Sequence, residues 1–192
     1  MKRSFKALLT LALVVTPLLT SCSDVRDPVA ANPSLDPQAG LISDLLGGTL
    51  KLINVVLKGP DANGDAKSVW IGTQGGTITT AAYTVTIPAN AVTKSTRFDV
   101  APMNDGTYTV QLHAYQQGLL GLIDVGSKGF KKPVELTYSY KNAVGIENPS
   151  KLVILWVRPD GKIEVQNCDN DKDTKTITGS LSHFSKYALA QN

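Results

Sequence analysis

The sequence predicts an all-β protein, an antiparallel β-sandwich of about 8–10 short strands, and three observations carry that prediction. From Ser68 onward apolar residues recur at every second position, the period of a strand with one buried face. Glycine, proline, asparagine and aspartate punctuate these runs at short intervals. No run with helical period intervenes, which excludes the βαβ arrangement of a parallel sheet.

In chain order, Val69–Ile71 and Thr77–Thr79 are the first short strands, and Tyr83-Thr-Val85-Thr-Ile87 alternates cleanly. Phe98–Val100 follows, then Val110, Leu112 and Ala114 alternate with Thr109, Gln111 and His113. The same pattern sets Val134, Leu136, Tyr138 and Tyr140 against Glu135, Thr137 and Ser139. Leu152–Val157 is apolar on both faces and rich in β-formers, the signature of a central strand. Arg158-Pro159-Asp160-Gly161 turns it into Ile163–Val165, because proline presets φ and glycine supplies positive φ. Thr176–Leu181 and Phe184–Leu189 complete the set, while Gly118–Val125 reads equally as a strand or as a hydrophobic loop.

The chain begins quite differently. Residues 1–6 carry Lys2, Arg3 and Lys6, and an apolar run follows from Ala7 to Leu19. This is the basic and apolar layout of a secretory leader, shorter than the ~20 apolar residues of a membrane-spanning helix. It ends in Leu19-Thr20-Ser21-Cys22, which resembles the lipobox of bacterial lipoproteins. The resemblance implies cleavage before Cys22 and acylation of its sulfur, making residues 1–21 a signal peptide. The physics agrees: small residues let the backbone enter a protease groove, and a thiolate is a good acyl acceptor.

The formal charge of +3 resides wholly in that leader, since removing its three cations leaves 16 basic against 16 acidic residues. A neutral mature chain offers no basic footprint for nucleic acid. Cys168 is the only cysteine besides Cys22, so an acylated Cys22 leaves no internal disulfide to form. His113 and His183 are the two histidines, which argues against a zinc site, and no cofactor is expected.

Residues 22–40, with prolines 28, 33 and 37 and several aspartates, read as a flexible spacer behind the lipid. Ser23, rather than aspartate, follows the cysteine, and by resemblance this favours the outer membrane of a Gram-negative-type envelope. Residues 41–66 open with an apolar stretch in which Leu41, Ile42, Leu45 and Leu46 fall at helical spacing. Gly47-Gly48 interrupts it, and the stretch is expected to pack on the sandwich rather than lie on a membrane. The sandwich itself is assigned to residues 67–192.

Gly75-Gly76-Thr77-Ile78, followed by Tyr83-Thr-Val-Thr-Ile87-Pro88-Ala-Asn-Ala91, resembles the opening of a ZU-five domain, the β-sandwich of ankyrins, netrin receptors and zonula-occludens proteins. Lys132–Tyr140, Asp160-Gly161 and the closing His183-Phe184-Ser185-Lys-Tyr187 resemble bacterial members of that group, so the likeness runs from Val69 to Leu189. It implies a non-catalytic module that binds an envelope or extracellular protein, or serves as architecture. Some members of the group cleave themselves at a His-Phe-Ser tripeptide. Here that alternative has Ser185 attacking the Phe184 carbonyl with His183 as base. On an extended strand the two would share a face. A further alternative is a carbohydrate- or calcium-binding module. Asp169, Asp171 and Asp173 imitate the start of a calcium loop, as do Asp61, Asn63 and Asp65. Neither run has the glycine at position six or the glutamate at position twelve that such loops supply.

Overall fold

Alternating strands with one apolar face must bury that face, and here they do so against each other. The computed structural model of the protein describes residues 50–55 and 64–192. The leader, Cys22, the spacer, the expected helix at 41–46, Asp61 and Asn63 lie outside the described residues. In chain order the strands are β1 (Lys51–Leu52), β2 (Asn54–Val55), β3 (Lys67–Ile71), β4 (Gly76–Thr79), β5 (Tyr83–Ile87), β6 (Thr96–Pro102) and β7 (Thr109–Gly118). They continue with β8 (Gly121–Asp124), β9 (Val134–Ser139), β10 (Ala143–Val144), β11 (Leu152–Val157), β12 (Ile163–Gln166), β13 (Cys168–Asp171), β14 (Thr176–Leu181) and β15 (Lys186–Gln191).

One sheet has the order β12-β11-β15-β7-β6-β3, with β1 added to β15 and β8 to β7. The facing sheet has the order β13-β14-β9-β5-β4, and a two-residue ladder joins β10 to β2. Every pairing is antiparallel. The protein is an antiparallel β-sandwich, as the alternation predicts. The residues expected to face inward are the core: Tyr83, Val85, Ile87, Phe98, Leu112, Leu136, Tyr138, Ile177 and Leu189 are all buried between the sheets.

Two differences from the expected strand list have simple causes. β8 takes the Gly118–Val125 stretch, left open between strand and loop, as the second arm of a hairpin on β7. β13 is a strand although Cys168-Asp-Asn-Asp171 has no apolar alternation, because its backbone pairs with β14 at the sheet edge and needs no buried face. The last strand is shorter than expected, beginning at Lys186 rather than Phe184. The Phe184 N–H is donated to Gly126 O at 3.0 Å, which pulls the chain away from β11 there. Lys51–Ile53, the described part of the apolar segment, also join the sandwich: β1 pairs with β15, and Ile53 is buried in the core.

The central position of Leu152–Val157 is realised. β11 lies between β12 and β15, with Leu152 and Ile154 in the inter-sheet core. Leu155 and Val157 point to the other face and form a second cluster with Ala190.

Gly75 and Gly76 meet Ile87-Pro88-Ala89 directly. Gly76 is the register partner of Ile87, and Asn90 N–H is donated to Thr73 O at 2.7 Å. Gly75 has φ +76, and a Cβ there would lie 2.4 Å from Ile87 O. The two halves of the motif are therefore one corner, and only glycine fits it.

Five tyrosines lie in the core, and Tyr83, Tyr108, Tyr138 and Tyr187 are fully buried. Tyr83 packs edge-on against Tyr138, with ring centroids 5.1 Å apart, and its hydroxyl is donated to Thr109 O at 3.2 Å. Burial raises the phenols of Tyr83, Tyr138 and Tyr187 above the usual value of 10.0, and takes Tyr108 to about 12. The sign of the linkage follows: the unfolded chain releases these protons near pH 10, whereas the folded chain holds them. Stability is thus complete below about pH 10 and falls as pH rises past it, by up to about 1.4 kcal/mol per pH unit for each fully buried phenol. Urea melts at pH 8, 10 and 11 check this, and a midpoint unchanged at pH 11 would contradict the burial.

Candidate functional site

The corner between β14 and β15 holds the one predicted constellation with a reaction attached. Phe184 is buried against Phe98 and Phe130, with ring centroids at 5.6 and 4.8 Å, so the middle of the tripeptide is core. Residues 182–185 bend before β15 begins, and the shared-face argument for His183 and Ser185 does not apply to a bend. The Tyr187 hydroxyl is donated to His183 O at 2.8 Å, and His183 Nδ1 lies 3.0 Å from the Tyr187 hydroxyl oxygen. Because that hydroxyl has a single proton, Nδ1 is the donor in the second contact.

The imidazole also lies against Trp156, with centroids 4.0 Å apart, and Arg158 covers the far part of that indole at 5.1 Å. Ser185 Oγ is directed instead to Val157 O at 3.4 Å, and Ser185 O accepts the Leu112 N–H at 2.9 Å. The base and the nucleophile thus have separate partners. A cleft of about 400 Å³ opens beside His183, floored by Gly129 and Phe130 and flanked by Ser127, Lys128, Lys131 and Ser182.

The aspartate run closes on its own turn. Asp169 and Asn170 lie in β13 rather than in a loop, and Asp171 Oδ1 accepts the N–H groups of Asp173 and Thr174 at 2.9 and 3.1 Å. Those backbone donors, Thr174 first, hold the Asp171 carboxyl below its ordinary value. Asp171 is committed to closing a hairpin, and among the described residues no cluster of three metal-ligating side chains exists. Asp65 is exposed. His113, read as lying on the polar side of its strand, is half-buried and stacks on Tyr115 at 5.7 Å.

Sequence reasoning missed the outer face of the larger sheet. Phe98, Leu112 and Ala114 face the core, so the residues between them face outward. Register then places Trp70, Arg97, Tyr115 and Asp124 side by side across four strands, β3, β6, β7 and β8. Ser68, Asp99 and His113 form the neighbouring row. Arg97 is bonded to Asp99 at 2.9 Å and its guanidinium lies 4.9 Å from the centre of the Tyr115 ring. Trp70 remains 49% exposed at the edge of the row. Burial, then Asp124 and Asp99, hold the Tyr115 phenol above its ordinary value, with Arg97 opposing them.

No family model matches this chain, and no curated protein matches it.

What the row can do is recognition. It combines a flat apolar ring, a cation stacked on a second ring, and a carboxylate, which together suit a partner with both planar and polar surface. The facing sheet presents a contrast. Its outer row is Thr79, Thr84, Thr137 and Thr178, with the hydroxyls of Thr137 and Thr178 only 2.8 Å apart and so partly satisfied within the row.

Proposed function

We propose that the protein is a lipid-anchored lipoprotein of the cell envelope whose β-sandwich is a non-catalytic binding module. The anchor rests on Leu19-Thr20-Ser21-Cys22 behind a basic and apolar leader. The module reading is carried by one observation, the outward row of Trp70, Arg97 and Tyr115 on an otherwise closed sandwich. An exposed Trp70 beside the half-buried Arg97 and Tyr115 is the kind of aromatic and arginine cluster that forms the usual energetic centre of a protein contact. The ZU-five likeness of the Gly75-Gly76 and Ile87–Ala91 corner points the same way, toward an envelope or extracellular protein as partner.

Support for the absence of turnover comes from His183 and Ser185, whose hydrogen bonds go to Tyr187 and Val157. A cut between Phe184 and Ser185 would moreover leave β15 clamped between β11 and β7 rather than release a tail.

One preparation tests the anchor and the absence of processing. Cells fed labelled palmitate are expected to yield labelled protein, and Cys22→Ser is expected to lose the label and leave the membrane fraction. Denaturing mass measurement is expected to find a chain starting at Cys22 and still carrying residues 185–192. An unlabelled wild-type protein would overturn the anchor. An eight-residue loss at Ser185 would overturn the non-catalytic reading in favour of self-processing.

A further inference from the structure

The hairpin between β7 and β8 ends in Gly118-Leu119-Leu120-Gly121, and both leucines are 99% exposed. Leu122 and Ile123, on the returning arm, are 41% and 50% exposed. Single exposed leucines are ordinary, but two adjacent ones at a protruding tip, continued by two half-exposed aliphatic residues, need a partner. The tip is also a strong turn. Gly121 has φ +134, and a Cβ on Gly118 would lie 2.4 Å from Ile123 Cδ1, so the glycines let the arms close beneath the leucines.

The surroundings of the tip are basic. The loops at the same end of the two sheets carry Lys94, Lys128, Lys131 and Lys132, all exposed. The Lys131 N–H is donated to Ala91 O at 3.0 Å, which ties the 126–133 loop to the loop that bears Lys94. A cleft joins both loops to Gln116, two residues before the tip. Of the acids at this end, Asp124 has Oδ1 turned onto the Gly126 N–H at 2.8 Å, Glu135 shares a cleft with Lys132, and Glu164 is bonded to Arg158. Asp160, at the same end, is bonded to Arg158. The opposite end mixes both signs, with Asp105, Glu147, Asp171 and Asp173 beside Lys141, Lys151 and Lys172.

We infer that the Leu119-Leu120 tip inserts into the surface of an anionic lipid bilayer, with the four lysines on the headgroups around it. Two exposed aliphatic side chains, with an excess of ammonium groups on the loops at the same end, match the two layers of such a surface, hydrocarbon below and phosphate above. A pocket in a protein would satisfy the leucines but gives no reason for the surrounding cations, so the charge decides for lipid. The inference deepens the envelope reading, from which it takes only the presence of a bilayer nearby. A tethered chain makes even a weak insertion count, because the tether holds the tip at high local concentration.

The test uses the full chain bound to vesicles whose acyl chains carry bromine, a short-range quencher of indole emission. Leu120→Trp adds a reporter at a site that is already exposed, and the wild type, with Trp70 and Trp156, sets the baseline. On vesicles rich in phosphatidylglycerol the variant is expected to show a blue-shifted emission and a quenched component that the wild type lacks. Replacing Lys128, Lys131 and Lys132 together by glutamine is expected to remove most of that component. Emission no more quenched than the wild type, from protein that floats with the vesicles, would overturn the insertion while leaving the anchor standing. Protein that fails to float with anionic vesicles overturns it as well. Equal quenching on uncharged phosphatidylcholine vesicles would overturn the role of the lysines, and in-cell cross-linking from position 120 to a protein without quenching would replace lipid by a protein pocket. Failure of the anchor alone is read separately, from palmitate labelling.

Discussion

Gly75→Ala is expected to destabilise the protein by about 3–5 kcal/mol, a large share of the 5–15 kcal/mol that holds a typical domain together. Two effects add. The left-handed backbone at φ +76 costs a residue with a Cβ about 1–2 kcal/mol. The new methyl would also meet Ile87 O at 2.4 Å, Ala89 N at 2.8 Å and Pro88 C at 2.9 Å, all backbone atoms of one rigid corner. Since neither strand can retreat without losing ladder bonds, the clash is relieved only by opening the β4–β5 corner. Gly161→Ala provides the comparison, because Gly161 has a similar φ of +81 but open space around it. That variant is expected to lose only the backbone part. Urea unfolding of both variants decides the matter, and equal midpoints would mean that the corner yields.

Phe184→Ala is expected to cost about 3–5 kcal/mol, the usual penalty for deleting a buried aromatic side chain. Phe184 is 4% exposed and packs edge-on against both Phe98 and Phe130, so its removal opens a cavity at the junction of the two sheets. Its neighbours in the tripeptide behave differently. Ser185→Ala removes one long hydrogen bond and is expected to cost no more than about 1 kcal/mol. A denaturant series on these two variants measures where the weight of the tripeptide lies. If Ser185→Ala proved as damaging as Phe184→Ala, the hydroxyl would have a role that packing does not explain.

Much of the sandwich is legible in the sequence because one rule, apolar every second residue, governs strands that bury a face. Tyr83–Ile87 and Val134–Ser139 follow it without exception, and both lie in the interior of their sheet. The rule fails where a strand buries nothing. β13, which lacks apolar alternation, is held at the edge by backbone pairing with β14, by Cys168 against the core and by the Asn170 side chain bonded to Tyr140, and β8 is apolar yet exposed. At Phe184 the rule gave the right burial but the wrong conformation, since a core side chain can be delivered from a bend as well as from a strand.

The candidate sites were less legible for a related reason. The His183-Phe184-Ser185 run is contiguous and visible, but the partners that divide His183 from Ser185 come from β11 and β15. Trp70, Arg97 and Tyr115 are 27 and 18 positions apart in the chain, and only the register of three strands makes them neighbours. No periodicity within one strand carries that information.

The place of β15 has a consequence for how the molecule is made. This strand bridges β11 and β7, yet it is drawn from residues 186–191, near the far end of the sequence. A chain that emerges from the ribosome amino end first therefore has a gap in the middle of its larger sheet until residues 186–191 follow. The larger sheet locks only when that strand takes its place.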